Sequence, residues 1–235
     1  MMRNIILLIT LILLSLIACE KEAIQISKED RLPKLPLSYL ALGDSYTIGQ
    51  GVDSVASFPA QLTARLRADS IPIKALRIVA RTGWTTDELQ TAIDDTDLMN
   101  TYDFVSLLIG VNNQFRGYSE QTYAQEFEAL LQQAIAFARG NRDNVFVLSI
   151  PDYAFTPFGL SRDTASISAG IDRFNAINKN ITETYGVAYY DITSISRMGL
   201  EQPDLVADDR LHPSGEQYCL WIRGFYDSVK AQLLD

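Results

Sequence analysis

The sequence predicts an α/β fold: a three-layer α/β/α sandwich with a five-stranded parallel sheet in the flavodoxin-like order 2-1-3-4-5. Three observations predict it. Five short apolar runs read as buried strands. Segments of helical periodicity lie between them, which implies parallel pairing through crossover helices. Several of those segments carry their own start and stop signals.

In chain order the strand-like runs are Ser38–Leu42, Ile73–Ala80, Phe104–Ile109, Val145–Ile150 and Ala188–Ile192. The first expected helix runs from Phe58 to Asp69, with Pro59 in its first turn. Thr85-x-x-Glu88 is a capping box that opens the next helix, and Trp84 is placed to staple onto Leu89. Tyr123, Phe127, Leu130, Leu131 and Ile135 form one apolar face before a stop at Gly140. Ile167, Ile171, Phe174, Ile177, Ile181 and Tyr185 recur at helical spacing, and Gly186 ends them. Ser214-x-x-Gln217 is a second capping box, followed by a face of Tyr218, Trp221, Ile222, Phe225 and Val229. Cys219 falls in this last helix and is expected in the core.

The N-terminus reads differently. Met1-Met2-Arg3-Asn4 is a short positive segment, and Ile5–Ala18 is an apolar run. That run is shorter than the ~20 residues a membrane-spanning helix needs, and it has the form of a signal-peptide core. Leu16-Ile17-Ala18-Cys19 resembles the lipobox of bacterial lipoproteins, which implies lipidation of Cys19 after cleavage. Residues 1–18 are therefore expected to be a signal peptide. Residues 19–36, polar and carrying Pro33 and Pro36, are expected to tether a domain spanning 37–235 to a membrane. The implied location is exported and lipid-anchored to a bacterial membrane.

A formal net charge of -9 argues against broad nucleic-acid binding, which needs a basic surface. At 47% hydrophobic and 21% charged, the composition is that of an ordinary globular protein.

Open α/β sheets bind ligands beyond the carboxyl ends of their strands, near the point where strand order reverses. The first run ends in Gly43-Asp44-Ser45. The second ends near Arg81-Thr82-Gly83-Trp84, and the third in Gly110-Val111-Asn112-Asn113. In the order 2-1-3 these ends are neighbours, so a serine, a glycine amide and an asparagine side chain converge. The fourth signal is Asp209-Arg210-Leu211-His212, which holds the only histidine of the chain. A serine hydroxyl is a weak nucleophile until a base takes its proton, and histidine is the usual base. An aspartate three residues upstream can fold back to orient the ring. Pro213 and the cap at Ser214 would hold that loop still. The stretch "LALGDSYTIGQG", residues 40–51, also admits a second reading, in which its hydroxyl-rich loop cradles a phosphate.

The four blocks in this order resemble those of the SGNH/GDSL hydrolase superfamily, and the likeness covers nearly all of residues 37–235. The resemblance implies a serine esterase acting through an acyl-enzyme intermediate. Ser45 would be the nucleophile, His212 the general base and acid, and Asp209 the residue that orients His212. The Ser45 and Gly83 backbone N–H groups and the Asn112 amide would form the oxyanion hole. No metal or organic cofactor is implied. Two departures stand out. Asn113 occupies a position where the family often has an acid, which puts support of that loop in doubt. Tyr46 replaces the leucine of the family's short name.

The expected substrates are small-molecule, lipid or glycan esters with a small or single-chain acyl group. A carbohydrate O-deacetylase of the same family and a non-catalytic glycan-binding lipoprotein on this fold are the alternatives. The phosphate-cradle reading leaves Asn112, Asp209 and His212 without a task. Asp44 is expected to be a structural acid of the turn, and Arg81 a solvated or ion-paired residue. Phe115, Tyr118, Tyr153, Phe155 and Phe158 are candidates to line the substrate cleft.

Overall fold

The computed structural model describes residues 36–99 and 101–234. The expected signal peptide, Cys19 and nearly all of the tether lie outside the described residues. Five parallel strands form one sheet in the order β2-β1-β3-β4-β5. They are β1 (Leu37–Gly43), β2 (Ile73–Ala80), β3 (Phe104–Leu108), β4 (Val145–Leu148) and β5 (Ala188–Tyr190). Eight α-helices join and cover them among the described residues: α1 (Ser45–Ile48), α2 (Phe58–Ala68), α3 (Thr86–Asp95), α4 (Val111–Phe115), α5 (Glu120–Phe137), α6 (Thr164–Thr184), α7 (Thr193–Ser196) and α8 (Gly215–Leu234).

Burial explains which runs form the middle of the sheet. Strands β3 and β4 are buried along their whole length, and β1 at every residue but its first. Helices cover both faces, so these strands need no alternation of polar and apolar residues. Of the outer strands, β2 has mixed burial and β5 is half-buried throughout. Helices α2 and α8 pack together, and α5 packs against both α3 and α6. These contacts separate the helices into two groups.

The fully buried aromatics lock the layers. Tyr39 stacks on Phe104 at 4.3 Å between ring centroids, and its hydroxyl shares a 2.7 Å hydrogen bond with the buried Ser106 hydroxyl. Trp221 of α8 lies against Phe58 of α2 and Tyr218. The face expected for the last helix is therefore its buried face, but Cys219 lies beside it and is only half-buried.

The caps differ in detail from their motifs. At Thr85 the Glu88 carboxylate accepts the Thr85 N–H at 2.9 Å, as a capping box requires. At Ser214 only half of the box forms. The Ser214 hydroxyl accepts the Gln217 N–H at 3.2 Å, but the Gln217 side chain turns away and donates to the Leu205 carbonyl at 2.9 Å. That bond ties α8 to the single turn at Pro203–Leu205, immediately before the Asp209–His212 loop.

Phe104→Ala should cost about 3–5 kcal/mol of folding stability, because it removes a buried ring that stacks on Tyr39. Urea unfolding measures this directly; a loss below about 1 kcal/mol would mean that the ring packs more loosely than its burial indicates.

Candidate active site

The chain leaves β1 at Gly43 under tight constraint. A Cβ at this position would lie 2.1 Å from the Thr47 hydroxyl oxygen and 2.3 Å from the Leu108 carbonyl of β3. Only glycine lets β1 pass that close while the chain turns. Asp44 then caps the single turn of α1, its Oδ1 accepting the Tyr46 N–H at 3.0 Å. The turn places Ser45 as its first residue. There its N–H has no acceptor within the helix and is open to another partner.

The small residues that follow have a spatial reason. Gly51 has φ +88°, and a Cβ there would lie 2.7 Å from Asp209 Oδ2. The loop after the serine is thus packed against the acid of the last block. Gly49 and Gly51 have a packing role in this loop.

Asp209, Leu211 and His212 form a closed turn. Asp209 Oδ1 accepts the Leu211 and His212 N–H groups at 3.0 and 2.9 Å. Its Oδ2 lies 2.6 Å from His212 Nδ1. The Ala207 N–H donates to the His212 carbonyl at 2.8 Å, and Val206 bridges to Pro213. Arg210 takes φ +69°, an uncommon conformation for a residue with a side chain, and this lets the aspartate fold back. With Nδ1 committed to the carboxylate, Nε2 is the nitrogen left to accept a proton. The imidazole is buried and meets the Tyr46 ring edge-on at 5.7 Å.

Two carboxyls on this edge of the sheet are tuned in opposite directions. Burial pushes Asp44 up to about 7, against the pull of the Tyr46 N–H. Its second oxygen is buried without a hydrogen-bond partner among the described residues. Burial also acts on Asp209, but the N–H of His212, its ring and the N–H of Leu211 hold that carboxyl below the usual carboxylate range.

Ser45, Asn112 and His212 line one cleft of about 100 Å³, together with Tyr46, Val111, Phe115, Tyr153, Phe158 and Leu211. Asp209 stands behind His212 and does not line it. Gly83 also stands outside the lining, in the turn after β2, with φ +90°. It adjoins Trp84, whose carbonyl accepts one N–H of the Asn112 amide at 2.9 Å. An amide has two such hydrogens, so the second remains for a ligand.

Asn113 supplies the loop support that its departure from the family pattern put in doubt. It is fully buried, its Oδ1 accepts the Thr86 N–H at 3.1 Å, and its Nδ2 donates to the Thr86 hydroxyl at 2.6 Å. The amide thereby joins the Asn112 loop to the start of α3. Arg116 adds a second tie, donating to the Gly83 carbonyl at 2.6 Å and to Glu88 at 3.0 Å.

Of the aromatic candidates, Phe115, Tyr153 and Phe158 line the cleft. Phe155 lines a separate hollow with Leu160 and Leu200, and Tyr118 lines neither. Tyr46, Val111 and Leu211 were not anticipated. Each is a direct chain neighbour of Ser45, Asn112 or His212, and that adjacency was the available signal. Arg81 is exposed and has no ion-pair partner among the described residues. Among those residues no cluster of His, Cys, Asp and Glu is placed to hold a metal ion.

Residues 41–220 match the GDSL-like Lipase/Acylhydrolase family. No curated protein matches this chain in sequence. The fold is shared with an α/β-hydrolase enzyme from the metagenome of Lake Arreo, Spain: TM-score 0.63, 19% identity, over 83% of this chain and 96% of that one. It is shared with an acetylxylan esterase from Geobacillus stearothermophilus: TM-score 0.60, 20% identity, over 82% and 94%. A psychrotrophic esterase from Pseudoalteromonas sp. gives TM-score 0.60 and 18% identity, over 84% and 99%.

An acid whose folded pKa is raised holds its proton more tightly when folded. Its contribution to stability is then full below the ordinary aspartate range and is lost as pH rises through about 7. The native protein should therefore lose stability relative to Asp44→Asn between about pH 4 and pH 7. Melting curves for both proteins across that range test this. Parallel curves would mean that Asp44 ionises as freely in the folded chain as in the unfolded one.

Proposed function

From a chain that belongs to the GDSL-like lipase/acylhydrolase family, and is thus a carboxylic ester hydrolase, we propose a serine esterase for short acyl groups with Ser45 as nucleophile. The observation that carries this reading is the shared cleft, where Ser45, His212 and Asn112 meet against an apolar wall.

The chemistry follows from the groups present. Ser45 Oγ attacks the ester carbonyl carbon while His212 Nε2 takes the hydroxyl proton. The carbonyl π electrons move to oxygen, where the Ser45 N–H, the Gly83 N–H and the second Asn112 amide hydrogen stabilise the negative charge. The tetrahedral intermediate collapses, the bond to the alcohol oxygen breaks, and the imidazolium returns its proton to that oxygen. Water then attacks the acyl-enzyme by the same route and releases a carboxylic acid. Asp209 holds Nδ1–H throughout and stabilises the imidazolium.

Cleft size favours short acyl groups over the lipid-chain arm of the expectation. A cavity of ~150 Å³ holds benzene, so about 100 Å³ accommodates an acyl group of roughly two to four carbons. Acetyl esters of carbohydrates fit this limit.

Cys19 would be lipidated and would anchor the domain outside the cytoplasm. The sequence of residues 1–19 supports this. Among the described residues no helix is long and apolar enough to cross a membrane. In a bacterial host, Cys19→Ala should move the protein from the membrane to the soluble fraction; unchanged membrane retention would remove the lipid anchor from the reading.

Hydrolysis of p-nitrophenyl esters from acetate to palmitate tests the enzyme. Turnover should peak at two to four carbons (roughly, from the cleft volume) and vanish in Ser45→Ala. Asn112→Ala should lower kcat by about 10²–10³ with little change in KM. A folded wild-type protein inactive on every ester would favour the glycan-binding alternative.

A further inference from the structure

We propose that the ester this site prefers has an anionic leaving alcohol, and that Arg162 is the residue that selects it. The proposal rests on the short-acyl esterase reading and names its substrate class.

The cleft wall grades from buried to exposed. Tyr153 is 5% exposed, whereas Phe115 is 49% exposed. Their rings meet edge to face at 6.1 Å, and Phe158 completes the wall. The acyl group therefore enters toward Tyr153, and the alcohol extends outward past Phe115 and Phe158. At that outer end stands Arg162. Its guanidinium carbon lies 4.5 Å from the centroid of the Phe158 ring and 5.2 Å from that of Phe115.

A guanidinium stacked on rings is restrained by them yet keeps its N–H donors at its edge. Among the described residues no carboxylate or carbonyl engages the Arg162 side chain. The adjacent Asp163 carboxylate is turned away to cap α6, where it accepts the Ser166 N–H at 3.1 Å. The backbone of Arg210 lies close by. The Arg210 carbonyl accepts the Phe158 N–H at 3.0 Å, and its exposed side chain has no partner among the described residues. Of the neighbouring acids, Asp209 is committed to His212, and Asp208 alone is uncommitted.

This arrangement opposes the charge of the whole chain. A net charge of -9 repels anions at a distance, so the unpaired Arg162 guanidinium on the aromatic wall of the cleft marks the place where an oxyanion is favoured. The chemistry fits a phosphate or a carboxylate near the scissile ester, as in an acetylated glycerol phosphate or an acetylated uronic acid. Both present oxygens that a planar guanidinium can grip with two N–H groups.

Two matched pairs of esters provide the test. One pair is acetylglycerol phosphate and monoacetin; the other is the acetylated methyl glycoside of galacturonic acid, with its carboxylate free, and acetylated methyl galactoside. Wild-type kcat/KM should favour the anionic member of at least one pair by roughly tenfold, and the responding pair identifies phosphate or carboxylate. That ratio should collapse in Arg162→Met, return in part in Arg162→Lys, and shrink in the wild type as salt rises from about 20 to about 300 mM. The salt titration needs no variant and holds even if Arg162→Met folds poorly. Equal rates on both members of both pairs, or a ratio indifferent to Arg162 and to salt, would overturn the proposal while leaving the esterase intact. Failure of the wild type on all four esters and on p-nitrophenyl acetate would instead defeat the esterase reading beneath it.

Discussion

The site depends on how closely the end of β1 passes β3. At Gly43 the Leu108 carbonyl and the Thr47 hydroxyl occupy the space that any side chain would need. The chain is forced to turn there, and Asp44 is driven into the interior as the cap of that turn. Ser45 follows at the start of α1, facing the ends of the neighbouring strands. Order 2-1-3 brings the loops after β2 and β3 to the same edge. Asn112, Asn113 and Arg116 then cross-link those loops through Trp84, Thr86 and Gly83. A rigid rim results, built from backbone carbonyls and amides as much as from side chains.

Charge is distributed around this rim by burial. Asp44 lies beneath the serine, where desolvation favours its neutral form. Asp209 is partly exposed and surrounded by donors, so its charged form is favoured. A charged carboxylate is the form that can stabilise an imidazolium in the proposed reaction. The Gly51 loop packs against that same acid, so the segment after Ser45 also shapes the surroundings of His212. Aromatic rings cover the remaining wall, and Arg162 stacks on two of them.

Much of this was legible in the sequence because the local signals were strong. Continuous apolar runs gave the strands, and helical spacing gave α2, α3, α5, α6 and α8 nearly to their ends. Short elements escaped: α1, α4 and α7 are too brief to show a period. Motif spacing singled out Ser45, Asn112, Asp209 and His212, of which all but Asp209 line the cleft, but not its other lining residues Tyr46, Val111 and Leu211, which carry no chemical signature. Asn113 looked like a weakened acid and is instead a two-way connector, because an amide both accepts and donates. Gln217 looked like the second half of a capping box and ties α8 to Leu205. Only the folded loop could show that this carbonyl was within reach.

By itself, then, the sequence determined the parallel α/β architecture, the strand ends that face the cleft, and the residue types offered there. Periodicity and turn chemistry act over a few residues and can be read in one dimension. The tertiary structure decided what those residues touch. It separated Phe115, Tyr153 and Phe158 from Phe155 and Tyr118, limited the cleft to about 100 Å³, and set Arg162 on two aromatic faces at its mouth. These outcomes depend on contacts between loops far apart in sequence, and the packing of the sheet edge alone fixes such contacts.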